Sequence, residues 1–579
     1  MIRSIAGGKM KSASLLSGAA LLSATLAATM SAPLALGAPE MIFHGGPIIT
    51  LDSDDRIVEA IAVEQGKIVG VGDLATVKAM ADADTKHVDL EGKPLLPGFV
   101  DSHSHAGFMG LQAMSANLLP APDGRGNSIA AIQEILTEYI DSDAPLIESL
   151  GWVVGFGYDD SQLEGKEHPT RHDLDEIEPN RPVVLIHQSG HLGVANSAAL
   201  KIAGISADTL DPDGGVFRRE EGSLEPNGVM EEYAFFTVLF TAMAGADNAL
   251  QDEMVRQGTQ LMATFGYTTA QDGRTDPRTL GALQRVAARG ELEVDVVAYP
   301  DMLMVENPPV GGYSNRFRVG GVKLTIDGSP QGKTAWLTEP YHVPPLGQTE
   351  DYLGYPAITV DVVDEQVLKA FENDWQIQVH ANGDAAIDAL ILAVQAARDA
   401  GYDGDRRPVL IHGQTLRKDQ VARLDELGIF PSLFPMHTFY WGDWHYESVL
   451  GPERAEDISP TGWVRERGMR FGSHHDAPVA LPDSMRVLSA TVTRRTRSGR
   501  VLGEAQRVDV ATGLRSLTIW PAWQHFEEDS KGSLEVGKLA DLVILSDNPF
   551  EVPEETLADL KVNATYKEGK LIYERSAAP

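Results

Sequence analysis

The segment LPGFVDSHSH, residues 96–105, opens the part of the chain in which short strands begin to alternate with helices. Side chains alternate along a strand with a period of two, so His103 and His105 face the same way at its end. Two imidazoles on one face of a strand end can chelate one metal ion. Two exposed loop histidines have the same spacing, so the interpretation depends on the segments that follow.

The chain on either side of this segment differs in pattern. Short strand-like runs in residues 41–97 predict a small antiparallel sheet. From there on, short β-rich runs that end in polar residues alternate with amphipathic helices, and strand-rich sequence returns near the end of the chain. Eight strand–helix units make a barrel. We therefore expect an α/β protein in which a (β/α)8 TIM-type barrel at residues 96–529 is inserted into a small β-sandwich formed by residues 38–95 and 530–579.

Four later strands add polar side chains on the inward face of such a barrel. In residues 318–327 the alternation places Lys323 inward, where an ammonium is costly unless it is neutralised or paired. Three further strands end in His380, His412 and Asp476. Each of these residues alone is more typical of a satisfied polar core position. Together with the histidine pair they form an ordered set that predicts a metal site at the C-terminal mouth of the barrel.

The amino-acid composition excludes several kinds of site and partner. The 579 residues contain no cysteine, which excludes disulfides, thiolate nucleophiles, iron–sulfur clusters and cysteine zinc sites. Lys plus Arg number 48 against 83 Asp plus Glu, so the net charge is −35. That balance argues against nucleic acid or an anionic membrane surface as the main partner. The partner expected is a small-molecule substrate. The segment GSPQGKT at residues 328–334 is one residue short of a phosphate loop and implies no nucleotide.

Residues 1–37 are expected to be a signal peptide. Three basic residues precede an apolar, small-residue run from Leu15 to Leu36, and Ala-Leu-Gly before Ala38 fits a cleavage site. Polar residues within the run disfavour a permanent membrane helix, although an uncleaved anchor is the alternative. We expect a periplasmic or secreted protein with no stable membrane insertion after cleavage, and the sequence is compatible with a homodimer.

The combined motifs resemble the amidohydrolase superfamily, and most closely amidohydrolase family 3, the group that includes N-substituted formamide deformylases. The matching segments are residues 96–105, 189–197, 321–329, 379–384, 411–414 and 532–543. This resemblance implies a barrel with a β-sandwich and one or two divalent metal ions, zinc being expected and manganese or iron being the alternatives.

The resemblance also implies a set of ligands. By this resemblance, His103, His105 and Asp476 would hold the first metal. His380 and His412 would hold the second, and Lys323 would bridge the two as a carbamate. A buried amine has a lowered pKa, so it can be neutral and react with carbon dioxide.

The implied reaction is hydrolysis by a metal-activated hydroxide, since a metal-bound water has a pKa of about 7. Asp476 would be the general base that takes the proton and hands it to the leaving nitrogen. We therefore expect an exported metal-dependent amidohydrolase acting on an amide or N-acyl bond. The alternatives are a non-catalytic metal-binding or ligand-binding member, or a hydrolase of an ester, lactone or carbamate.

The last of these strands departs from the family pattern. It reads GSHHD at residues 472–476, where Gly-Ser-Asp is expected, so the register of Asp476 is open and His475 is an alternative base. If Asp476 points into the barrel, His474 lies on the same side and can hydrogen-bond a metal ligand, while His475 points toward the helices.

Four residues are expected to contact the substrate. His191 belongs to the SGH motif, and His437, Tyr440 and Trp441 belong to an aromatic run that would line an apolar pocket. The alternative for the aromatic run is a packed loop.

Overall fold

The computed structural model describes residues 38–212, 214–345 and 347–576. The predicted signal peptide, residues 1–37, lies outside the described residues. The described chain is an α/β protein with three kinds of sheet, which differ in strand direction and in the part of the chain that supplies them.

Both ends of the chain build one eight-stranded sheet. Its strands, in spatial order, are Lys570–Glu574, Val562–Lys567, Leu542–Leu545, Leu95–Pro97, Met41–Ile49, Ile57–Glu64 and Lys67–Gly72, with Lys86–Asp89 also paired to Met41–Ile49. Gln65 and Gly66 join two of these strands with φ values of 48° and 75°, as a two-residue hairpin turn requires. The two chain ends meet where Leu96 pairs antiparallel with Val543.

Two parallel sheets carry the predicted ligands. The four-stranded sheet runs in the order Phe317–Val319, Asp295–Pro300, Tyr267–Thr275 and Phe99–Val100. The five-stranded sheet runs in the order Gly321–Thr325, Gln376–Ala381, Val409–His412, Phe430–Leu433 and Gly472–Ser473. A parallel bridge between Asp301 and Lys323 joins the two sheets at one side. At the other side, Oγ of Ser432 lies 3.1 Å from Oγ of Ser102, so the sheets approach each other at both edges.

Helices connect the strands and cover their outer faces. The helix Asp384–Asp399 shows why: Ile387, Leu390, Ile391 and Val394 recur at helical spacing and all are buried. The α-helices are Leu74–Lys78, Ala106–Met114, Ile129–Asp141, Pro145–Leu150, Arg171–Asp175, Ser197–Ile202, Tyr233–Met243, Asn248–Thr264, Pro277–Ala288, Val360–Glu372, Asp384–Asp399, Lys418–Leu427, Met436–Trp444, Gly451–Ala455, Thr461–Glu466, Ser484–Thr493, Val510–Arg515 and Ile519–Gln524. No helix among the described residues is long and apolar enough to cross a membrane.

A fourth sheet, of six strands, is formed by residues 116–232, a segment that was expected to be part of the barrel. Its strands, in spatial order, are Gly215–Arg219, Pro226–Glu232, Leu192–Ala195, Val183–His187, Val153–Tyr158 and Ala116–Asn117. Parallel and antiparallel pairs are mixed in it. Local hydrophobic pattern does not report which sheet a strand joins, so this inserted sheet was not anticipated.

Candidate metal centre

His103, His105 and Asp476 converge on one point. Nε2 of His103 and Nε2 of His105 lie 3.3 Å and 3.2 Å from Oδ1 of Asp476. The loop that carries the two histidines is held by Asp101, whose carboxylate accepts from the backbone N–H of His103 at 3.0 Å and from that of Gln271 at 2.9 Å. His103 is fully buried and Asp476 nearly so, whereas His105 is a quarter exposed.

The hydrogen bonds made by Nδ1 of each histidine determine the tautomer, and thereby which ring nitrogen faces the centre. Nδ1 of His103 donates to Oε1 of Gln271 at 2.7 Å, and Nδ1 of His105 donates to the carbonyl of Gly273 at 2.7 Å. The amide of Gln271 is oriented by donating to the carbonyl of Ser102. Each Nε2 therefore presents a lone pair to Asp476. Three lone-pair donors within this distance repel each other unless a cation lies among them, so the arrangement fits a divalent metal ion.

A second pair of donors lies on the neighbouring strands. Nδ1 of His380 is 3.0 Å from Nε2 of His412, and Nε2 of His380 lies 3.2 Å from the carbonyl of Gly328, to which it donates. Burial lowers the pKa of both imidazoles, which keeps them neutral and able to donate a lone pair. His412 and Asp476 both have left-handed backbones, with φ of 74° and 55°. Such strain in residues other than glycine is concentrated at functional sites.

Lys323 lies within this cluster of donors. Its Nζ is 3.0 Å from Nε2 of His103, and the side chain is 1% exposed. Burial lowers the pKa of this lysine to about 7, although the charge of Asp476 opposes the shift. A substantial fraction of the amine is therefore neutral near pH 7, which is the form able to react with carbon dioxide.

The structure thus brings together all the predicted metal ligands. Imidazole nitrogens with one carboxylate suit zinc, manganese or iron. Oδ1 of Asp476 is buried and accepts no hydrogen bond from the described residues, as expected of an oxygen meant for a cation.

The two extra histidines that follow the last strand, Gly472–Ser473, point in different directions. Nε2 of His474 lies 3.0 Å from Nδ1 of His412, behind the centre. His475 turns away from it: its Nδ1 accepts from the backbone N–H of Ala477, and its ring packs edge-on against Tyr267. This geometry agrees with the register in which Asp476 faces the ligands.

A cavity of about 650 Å³ is bounded by the inserted sheet and by residues 329–334, the loop beyond Gly328. His191 and Trp441 line it: His191 pairs with Glu232 at 2.9 Å, and Nε1 of Trp441 donates to Asp159 at 3.3 Å. His437 and Tyr440 do not line it.

His437 and Tyr440 are instead packed behind the cavity wall. The ring of His437 lies 4.7 Å from that of Trp441, and its Nδ1 is 3.0 Å from Nε2 of His445. The hydroxyl of Tyr440 donates to Asp123. These two side chains are packed, as the alternative had it, but they lie on the helix Met436–Trp444 and not in a loop.

A second cluster of candidate ligands, missed by the sequence analysis, lines the same cavity. Nε2 of His187 is 3.2 Å from Asp160 and 3.6 Å from Asp159. Burial alone would lower the pKa of His187, but hydrogen bonds to Asp159 and Asp160 outweigh it and raise the pKa to about 9, so the ring is a cation whose Nε2–H is directed at the two carboxylates. This cluster is therefore internally hydrogen-bonded, unlike the lone-pair donors around Asp476.

Imidazole and carboxylate donors gathered at the C-terminal ends of parallel strands define the class as a metal-dependent hydrolase. The chain belongs to the amidohydrolase family, whose sequence model matches residues 86–573. The resemblance seen in the motifs is thereby confirmed.

Two curated relatives and one solved structure show how far the similarity extends. The N-substituted formamide deformylase of Arthrobacter pascens is 26% identical over 93% of this chain and 99% of its own. The protein LONG AFTER FAR-RED 3 of Arabidopsis thaliana is 29% identical over 92% of this chain and 91% of its own. A crystal structure of an uncharacterized metal-dependent hydrolase from Pyrococcus horikoshii has a TM-score of 0.70 at 23% identity, covering 89% of this chain and 99% of that one, so the fold is shared.

Proposed function

We propose that this protein hydrolyses a carbon–nitrogen bond, an amide or N-acyl bond, in a small molecule. The observation that carries the proposal is the convergence of the unprotonated Nε2 atoms of His103 and His105 on Oδ1 of Asp476, within 3.3 Å. Similarity to an N-substituted formamide deformylase supports this bond type.

The residues of the site can supply the metal ligands and the proton carrier that this hydrolysis needs. A divalent metal, zinc in this proposal, supplies Lewis acidity toward water and toward the scissile carbonyl. His103 and His105 with Asp476 would hold a first ion, His380 and His412 would hold a second through neutral nitrogens, and Lys323 as a carbamate would add an oxygen donor. Asp476 would face the metal with Oδ1, and its carboxylate is proposed to accept the proton of the attacking water and deliver it to the leaving nitrogen.

The architecture proposed with this function is a (β/α)8 barrel. The two parallel sheets would be the wall of one barrel, which their approach at both edges supports. The sheet of the two chain ends would belong to the accompanying β-sandwich. In such a barrel the strand ends that carry the ligands open on one face.

Export is proposed from the first 37 residues alone. N-terminal sequencing of the active protein should begin near Ala38. Recovery of the first methionine would contradict a cleaved signal.

The test of the function combines metal analysis with a substrate panel. We expect one to two metal ions for each chain, and turnover of N-formyl, N-acyl or amide compounds that is lost with a chelator and restored by metal. A metal-loaded protein that hydrolyses none of the panel favours the non-catalytic alternative. Faster turnover of the matched esters than of the amides would favour an ester or lactone substrate.

A further inference from the structure

Lys333 lies on the wall of the cavity, in a loop whose first residues border the metal centre. It belongs to the loop that begins at Gly328, whose carbonyl accepts from His380, and its own side chain lines the cavity. The loop that contains Lys333 therefore borders both the metal centre, at Gly328, and the cavity, where Lys333 is part of the wall.

The ammonium of Lys333 is buried without a carboxylate partner. Its Nζ donates to Oγ of Ser448 at 2.8 Å and lies 4.9 Å from the ring centre of Trp444, while the residue is only 8% exposed. None of the described carboxylates forms an ion pair with it. Because a buried charge is costly unless it is paired, an ammonium in this position is suited to a negative group that arrives from outside.

The other basic groups of the cavity wall are already paired. Arg218 is bound to Glu231 at 2.6 Å, and His191 is bound to Glu232 at 2.9 Å. Among the described residues that line the cavity, the lysines and arginines are Lys333 and Arg218. Arg218 contacts a carboxylate, whereas Lys333 contacts none.

The backbone of Lys333 has a strained conformation. Lys333 has a φ of 57°, a left-handed conformation that residues other than glycine rarely adopt. The hydroxyl of Tyr352 donates to its carbonyl at 3.0 Å, and Nε1 of Trp444 donates to the carbonyl of Gln331 in the same loop. Strain that is maintained by surrounding contacts is a frequent property of binding loops.

We propose that Lys333 binds a single negative charge on the substrate, such as a carboxylate, so that the substrates of this enzyme are anionic N-acyl or amide compounds. This inference rests on the proposed function. A single charge is favoured over a dianion because Lys333 is one cation, and Arg218, the second lysine or arginine among the described cavity residues, is already paired with Glu231.

The experiment compares acids with their uncharged counterparts. N-acetyl amino acids and the corresponding N-acetyl amino acid amides are tested on the full-length, metal-loaded protein, by calorimetric binding and by turnover. The variants are Lys333→Met, which removes the charge at similar length, and Lys333→Arg, which keeps it. Lys418→Met is the matched control, since Lys418 also lies over a tryptophan but is exposed and paired with Glu466.

We expect the wild-type protein to bind at least one acid more tightly than its amide. Lys333→Met should weaken binding of that acid by about 10- to 100-fold, the range for a hydrogen bond to a charged group, and leave the amide unchanged. Lys333→Arg should retain most of the preference, and Lys418→Met all of it. The inference is overturned if no acid is preferred by the wild-type protein, or if Lys333→Met weakens both members of each pair equally.

The two proposals fail in different ways. Binding of acids that depends on Lys333, with no turnover of any compound, would reject the hydrolase proposal and keep the anion site. Turnover of amides and acids alike, unaffected by Lys333→Met, would keep the hydrolase and reject the anion site.

Discussion

Nδ1 of His412 lies 3.0 Å from Nε2 of His474, and both side chains are buried. If His412 binds metal through Nε2, its proton must be on Nδ1 and is donated to His474. Nδ1 of His474 in turn lies 2.9 Å from Oγ of Ser432, to which it donates. His474 is thereby a positioning residue: it holds the tautomer and the ring orientation of a metal ligand.

Replacing His474 tests this role. His474→Ala should weaken binding of the second metal by about 10- to 100-fold, because the ligand loses its hydrogen-bond acceptor. His474→Gln, whose side-chain oxygen can accept the same proton, should retain more of the affinity. Competition with a chelator measures both constants. Unchanged affinity in His474→Ala with lowered thermal stability would indicate a packing role instead.

The first metal position is tested at His103. His103→Ala should lose metal and activity together, because it removes one of the converging lone pairs. His172→Ala serves as the control, since this histidine is exposed and bound only to Glu220. Elemental analysis and turnover are measured on the same preparations. If His103→Ala keeps its metal and its activity, the ligand assignment is wrong.

The general base is tested by comparing Asp476 with its neighbour His475. Asp476→Asn should leave the fold intact and lower kcat by several orders of magnitude, about 10²–10⁴ of it from the lost proton acceptor. His475→Asn should affect kcat far less, because its ring faces Tyr267 rather than the ligands. An inactive His475→Asn beside a nearly normal Asp476→Asn would show that the strand register has been misassigned.

The bridging role proposed for Lys323 has a chemical test. Lys323→Ala should be inactive, and added short carboxylic acids with metal should partly restore turnover, since a carboxylate can replace a carbamate as the bridging ligand. Mass spectrometry of the intact wild-type protein at neutral pH should show added carbon dioxide. A lysine without the adduct in fully active protein would contradict the carbamate.

A buried ion cluster is expected to make the free energy of unfolding depend on pH in the acidic range. Asp295 on a parallel strand contacts Nζ of Lys531 at 2.6 Å and Nζ of Lys567, from the sheet of the chain ends, at 3.0 Å. Burial alone would raise the pKa of Asp295, but the two ammonium groups outweigh it and hold the pKa at about 2. This value lies below the unfolded pKa of about 3.9, so the stabilisation is complete above pH 4 and is lost as the pH falls from about 4 to 2.

Asp295→Asn should therefore destabilise the protein by about 1.5–3 kcal/mol near neutral pH, because each ammonium loses one charged hydrogen-bond partner while Lys531 keeps Glu527 and Lys567 keeps Asp541. The loss of folding stability between about pH 4 and 2 should also be smaller in this variant than in the wild-type protein. Denaturant unfolding at several pH values measures both effects. Glu466→Gln breaks an exposed pair with Lys418 and should change stability by less than about 1 kcal/mol. Equal effects of the two substitutions would contradict the prediction.

The chemical identity of the centre could be predicted from local sequence. The two-residue period of a strand predicted that His103 and His105 face the same way, and both do converge on Asp476, although they lie in a loop beyond the strand Phe99–Val100. The same period predicted that His474 and Asp476 share a face and that His475 does not. The inserted sheet and its cavity had no such signal, because strand pairing between distant segments leaves no trace in local periodicity.

The sequence by itself determined which donors this protein has, their order along the chain and its membership of the amidohydrolase family. Only the tertiary structure decided which nitrogen of each histidine faces the centre, and that Lys333 is buried without an acidic partner. The physical reason is distance along the chain: Lys323 and His103 are 220 residues apart, and His412 and His474 are 62 apart. Tautomers, burial and ion pairing are set by such contacts, which exist only once the strands have packed together.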